Sequence, residues 1–266
     1  MRRRYPRLIT CDIGGYGDEG PYAQMKAYDM LVQAESGICS VTGSPEQPGR
    51  IGVSACDIGS GMFAYAAVLE ALYRRERTGE GRSIKLSMFG AMSDWMSVPL
   101  MHYEYAGVKI PRSGLSHPMI QPYGAFQTRG GAPILIAIQN EREYVRFCNE
   151  VMEMPALLDD ERFRDNPARC AHREALAALI DERFTALDRD ALIDKLRAAK
   201  IAYGEVNDVS TLATHPALRR VEVSTPAGPV SMVAPPATFT GEAISLGPVP
   251  ALGEHSAAIR EEFSGD

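Results

Sequence analysis

The chain has 266 residues, 45% hydrophobic and 23% charged, with a net charge of −6. That length suits one or two domains with a real core. The acidic balance excludes a nucleic-acid binder with a basic face, and the longest apolar runs, MFAYAAVLEAL and PILIAI, are too short or too interrupted to span a bilayer.

The opening MRRRYPRLIT has basic residues but only LIT as an apolar segment, which is not a signal peptide. Residues 7–13 read as a strand and GGYGDEGPY (14–22) as a glycine-rich loop closed by proline. Helical spacing over 22–37 ends on Gly37, a plausible C-terminal cap. ICSVTGSPEQPGRIGVSAC (38–56) carries β-favouring pieces around a proline-glycine turn. The clearest helix runs from Ile58 to Arg77, closed by Arg74, Arg75 and Arg77 and then by Gly79 and Gly81. RSIKLSMF (82–89) alternates as a strand does, and a helix follows over about 90–106. Three prolines and two glycines make 107–122 an extended linker. GAFQTRGGAPILIAIQ then reads as a hairpin turning on RGG. Helices are expected around 141–152, 170–186 and 188–199, and short strands with proline-rich loops beyond about 203.

Five cysteines (Cys11, Cys39, Cys56, Cys148, Cys170) show no CxxC or CxxH pattern, and none of the five histidines pairs at metal-ligand spacing. The expectation is a reducing cytoplasm and no metal site. A serine hydrolase elbow, a Walker loop and a GxGxxG turn are all missing from the sequence. His117, in SHP within the linker, is a possible binding residue.

Two stretches invite a chemical reading. In VSACDIGSGMF, Asp57 stands where a helix begins, and Gly59 and Gly61 each cost that helix roughly 1 kcal/mol relative to alanine. Asp57 reads as a helix N-cap. The second reading, behind the cap, is a carboxylate nucleophile toward an acyl carbon, with glycines that let a ligand approach and helix N–H groups that hold an oxyanion. In GGYGDEGPYAQMKAYD, the residues describe either a surface turn before an amphipathic helix or a phosphate-holding loop with Lys26 as point charge and Tyr28 at its rim.

The ordered series GYGDEGPY, KAYD, QAESG, TG, RIGVSACDIGSGMFA, RERTGEGRSIKLSMFGAM, HP, PYGAF, APP and LGEH resembles the class III coenzyme A transferases, the family of formyl-CoA and carnitine CoA transferases, with α-methylacyl-CoA racemase as a relative. The resemblance implies an α/β fold. Residues 1–106 would form the C-terminal half of a Rossmann-like large domain, 107–122 a linker, 123–203 a small α+β domain, and 204–266 a segment returning to the large domain. It implies an interlocked homodimer, acyl-CoA and a small carboxylic acid as substrates, and no permanently bound cofactor. Asp57 takes the place of the catalytic aspartate, which attacks the thioester and passes through a mixed anhydride and an aspartyl-CoA thioester. Met25, Lys26, Ala27 and Tyr28 take the place of a CoA-lining segment, with Gly59, Gly61 and His117 as further substrate contacts. The racemase branch carries a histidine at the place of Tyr28, which favours transfer over racemisation here. Arg50 and Arg112 are candidate partners for an acceptor's distal carboxylate. Family members carry roughly a hundred further residues before the place of Met1 (about one small domain), so the resemblance implies a truncated chain and leaves an inactive CoA-binding or dimerising remnant as an alternative. The glycine-rich loop of formyl-CoA transferase has no counterpart, an expectation against oxalate or formate.

Overall fold

The computed structural model describes residues 3–131 and 133–264. Ala132, in the expected hairpin turn, and the terminal residues Met1, Arg2, Gly265 and Asp266 lie outside the described residues. The chain divides into two compact units, Met1–Glu205 and Val206–Asp266.

The first unit opens with a βαβ arrangement. Strand β1 (Thr10–Gly14) leads through a long irregular stretch and helix α1 (Asp29–Glu35) to α2 (Ala55–Thr78), which returns into β2 (Ser83–Ser87). The two strands pair in parallel, from Thr10 against Ser83 to Gly14 against Ser87. They form a sheet of two strands among the described residues. Helices α3 (Met88–Trp95) and α4 (Ser97–Ala106) follow directly. Val32, Ile38, Cys56, Ala91 and Met92 make the buried core that joins α1, α2 and α3.

Several expected elements are shorter or divided. The expected helix over 22–37 is confined to α1, because Tyr28 is still extended (φ −141°, ψ 156°). The expected β-pieces over 38–56 form a 3₁₀ turn, Ile38–Ser40, and one isolated bridge between Gly43 and Pro48. The helix expected over 90–106 starts at Met88 and breaks at Met96. Helix α2 starts three residues earlier than expected. It is also long and apolar enough to cross a membrane by length and composition, contrary to the estimate from its runs. Yet it packs on α1, α3 and both strands, with 33% of its apolar window buried.

The rest of this unit is an antiparallel sheet of β3 (Tyr123–Gln127), β4 (Pro133–Ala137) and β5 (Ala202–Glu205), in the order β3-β4-β5. Helices α5 (Glu141–Arg146), α6 (Asn166–Ala171), α7 (Arg173–Thr185) and α8 (Arg189–Ala198) lie between β4 and β5 in sequence. Ile134 and Ile136 alternate inward from β4 and meet Phe147, Phe163, Leu176, Ile180, Phe184 and Leu192 in a second core. At its edge Arg169 is buried under the ring of Tyr144, with the guanidinium carbon 4.1 Å from the ring centroid. The guanidinium donates to the carbonyls of Gln121 and Phe163 and grips both oxygens of Glu141 at 2.7 and 3.0 Å.

The second unit holds α9 (Val209–Ala213), the hairpin β6 (Arg220–Thr225) and β7 (Gly228–Val233), and α10 (Ser256–Glu262). Asp208 caps α9, accepting from the Thr211 backbone and from the Ser210 and Thr211 hydroxyls, and these bonds hold its carboxyl down at about 2.

Candidate active site

In a βαβ unit the crossover helix runs back against its strands, so its N-terminus lies at their carboxyl ends, the edge where open α/β sheets take ligands. The first turn of α2 stands at that edge, with Asp57 as its third residue.

Asp57 is therefore not the N-cap. Ser54 holds that position, and its side chain makes no capping bond. The cap comes from Asp29, 27 positions earlier, whose Oδ1 accepts the Cys56 N–H at 2.8 Å. A carboxylate at a helix start both fills an open donor and meets the positive end of the helix dipole. The first-turn donors can be followed one by one. Ala55 N–H goes to Val53 O, Cys56 N–H to Asp29, and Ile58 N–H to Ser54 O. The Asp57 N–H is left without a partner among the described residues, and no hydrogen bond or ion pair there engages the exposed Asp57 carboxylate. Burial above all, with the Asp29 carboxylate beside it, pushes the neighbouring Cys56 thiol up to about 12, so it stays a neutral packing group.

The Asp29–Cys56 bond brings the segment Met25–Tyr28 to the start of α2, because Tyr28 is the N-cap residue of α1. Met25, Lys26 and Tyr28 are exposed, whereas Ala27 packs on the core around Cys56 and Met92. The loop after β1 crosses this segment closely. A Cβ on Gly15 would lie 2.3 Å from the Ala27 Cβ, so glycine alone allows the crossing. The Gly15 carbonyl in turn accepts the Phe89 N–H at the start of α3.

The two glycines of the helix occupy different surroundings. Gly59 is buried against α3, where an added Cβ would meet Met92 Cε at 2.8 Å and the Trp95 ring at 3.0 Å. Gly61 is exposed and an added Cβ meets nothing within 4 Å.

The remaining candidates are engaged elsewhere. His117 stacks on Tyr123 and accepts the Met119 N–H at Nδ1, closing the turn before β3. Arg112 spends Nε and Nη2 on the carbonyls of Ser44 and Pro45. Arg50 reaches the Ile51 carbonyl at 3.5 Å. A cleft of about 990 Å³ runs beside α3 and α4 and is lined by Phe89, Met96, Leu100, Tyr103 and Arg112, with neither Asp57 nor residues 25–28 in its wall. No group of three or more His, Cys, Asp or Glu side chains among the described residues is placed to hold a metal ion. Sequence reasoning missed Asp29 and the buried Gln33, because their partners lie 18 to 27 positions away.

The class that this fold and edge define is an α/β protein built on a βαβ unit. A family model described as CoA-transferase family III matches residues 1–256, and the chain belongs to that family. It is 33% identical to an acetyl-CoA:oxalate CoA-transferase of Acetobacter aceti and 31% identical to a succinate–glutarate CoA-transferase of Agrobacterium fabrum, covering 97% and 99% of this chain and 67% of each relative. A crystal structure of a CaiB/BaiF family protein from Brucella suis superposes with a TM-score of 0.79 at 34% identity, over 98% of this chain and 69% of that one. The chain spans 60 to 69% of the length of the curated relatives it matches.

Proposed function

We propose that the chain transfers CoA between an acyl-CoA thioester and a free carboxylic acid, with Asp57 as nucleophile. The observation that carries the proposal is the uncommitted carboxylate in the first turn of α2, beside the one first-turn N–H left open among the described residues. In the reaction, an Asp57 oxygen attacks the thioester carbon and CoA leaves as thiolate, giving a mixed anhydride. The thiolate attacks the Asp57 carbonyl carbon, the donor acid departs, and an aspartyl-CoA thioester remains. The acceptor carboxylate then attacks that thioester and the same two steps run in reverse. The Asp57 N–H and the helix dipole favour the oxyanion that develops at each stage.

Met25 to Tyr28 would line the CoA, with Lys26 toward its phosphates and Tyr28 beside the reacting carbonyl. Gly61 offers the open helix surface a thioester needs, whereas Gly59 serves the contact with α3. His117 would sit at the substrate's periphery. Relatives named for succinate, glutarate and oxalate support a small dicarboxylate as acceptor. The oxalate-named relative stands against the sequence expectation that set oxalate aside. Tyr28, as a phenol, supplies no imidazole base, which speaks against racemisation at the α-carbon. A homodimer and a cytoplasmic setting are proposed on the resemblance, together with cysteines that are free among the described residues. Replacing Asp57 with alanine or asparagine is expected to abolish exchange of labelled CoA between acids, and retained turnover would sink the nucleophile. The shorter span relative to the family keeps a second reading open, a CoA-binding remnant. Binding in a CoA titration without exchange would select it.

A further inference from the structure

The geometry points to Gln33 as a positioning residue for Asp57, an assignment that rests on the transferase reading above. Gln33 is fully buried in α1. Its Nε2 donates to Asp29 Oδ2 at 2.8 Å and lies 3.4 Å from the carbonyls of both Ile51 and Val53. Its Oε1 accepts the Ile51 N–H at 2.8 Å. One amide therefore holds the backbone that enters α2 directly at residues 51 and 53. It holds the helix start a second time through Asp29, whose other oxygen caps Cys56.

Such an arrangement is more than core filling. Burying an amide is costly unless its groups are paired, and an apolar side chain of similar length would fill the space without that requirement. Here the donors and the acceptor of Gln33 are engaged, and they converge on the six residues immediately before Asp57. The network fixes where α2 begins and how its first turn is rotated, and thereby where the Asp57 carboxylate points. The core beneath α2 is small, and Ser54 contributes no side-chain cap, so Gln33 and Asp29 carry this alignment from α1. A misplacement of about 1 Å at a reacting group can lower a rate by about 100-fold.

The test uses Gln33→Met, which keeps length and removes the hydrogen bonds. The expected result is faster hydrogen exchange at the Cys56 amide and a kcat for CoA exchange lower by up to about 100-fold, with KM for acyl-CoA raised by less, because residues 25–28 keep their side chains and only their anchor through Asp29 loosens. A merely structural role would lower the amount of folded protein and leave kcat per folded molecule alone. If Gln33→Met does not fold, Asp29→Asn replaces it, since its amide oxygen can still accept from Cys56 while its NH2 cannot accept from Gln33, and the same two measurements apply. Unchanged kcat in a folded variant overturns the assignment, as does an unchanged Cys56 exchange rate. Turnover retained by Asp57→Asn overturns the nucleophile instead, in a different variant. No exchange by the unmodified chain overturns both, while Cys56 exchange then reports the clamp without a reaction attached to it.

Discussion

Changing each of the two α2 glycines to alanine should move stability in opposite directions. Alanine is worth about 1 kcal/mol over glycine in a helix interior. At Gly61 nothing lies within 4 Å of the new methyl, so Gly61→Ala should gain most of that 1 kcal/mol. At Gly59 the methyl would stand 2.8 Å from Met92 Cε and 3.0 and 3.3 Å from two atoms of the Trp95 ring. Met92 is fully buried and the Trp95 ring moves only as a whole, so one of these side chains must be displaced, and overpacking of this kind costs about 1–3 kcal/mol. Set against the helical gain, Gly59→Ala should lose up to about 2 kcal/mol. At roughly 2–4 °C per kcal/mol for a unit of this size, the two variants should straddle the parent in thermal unfolding by several degrees. The exchange assay separates them again. Gly61→Ala should weaken acyl-CoA turnover while raising Tm, because its methyl occupies the open surface beside Asp57. Equal stabilisation by both alanines would refute the packing argument for Gly59, and full activity in Gly61→Ala would refute the role given to Gly61.

Arg169→Met should destabilise the chain by about 3 kcal/mol in urea unfolding, near the lower end for breaking a buried ion pair because Glu141 is half exposed and regains water. An unchanged midpoint would show that Tyr144 and Glu141 repack at no cost. Alkylation at pH 8.5 should label Cys11, Cys39 and Cys170 well before Cys56 and Cys148, read by peptide mass. Burial is the leading cause that holds Cys56 up at about 12 and Cys148 up at about 11, so both remain thiols at that pH. A thiol raised in the folded state is neutral to stability below its ordinary value of about 9 and weakens folding as pH climbs from there toward 12. Early labelling of Cys56 would contradict the packing around Asp29.

Much of this molecule can be read from local sequence, and the exceptions share one cause. The strand at residues 7–13, the hairpin on RGG and the long helix after Ala55 follow from apolar period and turn chemistry, and they appear within a few residues of expectation. The family, too, was legible, because its motifs recur in order along the whole chain. What local rules misplaced was set at a distance. Asp57 sits where a capping aspartate is expected, yet the capping carboxylate arrives from α1. Gly59 resembles a ligand-approach glycine until Trp95 and Met92 are laid over it. β5 escaped because AYGE is short and takes its identity from pairing with β4. Gln33 looks like an ordinary polar residue of an amphipathic helix, and only the return of residues 51–53 shows why it is buried.

The parallel pairing of β1 with β2 also sets a timetable for biosynthesis. Thr10 meets Ser83, 73 positions on, whereas Tyr123 in the antiparallel sheet meets Ala137 only 14 positions away. Closing the longer loop costs about 1.5 kcal/mol more chain entropy. On a ribosome adding about 5–20 residues per second, β1 waits roughly 4 to 15 s for its partner to be made. Throughout that interval the edge of β1 that β2 will cover is open to other chains. The Asp57 carboxylate of α2 thus lies inside a loop that closes late, and chaperone demand in the cell should fall on that segment.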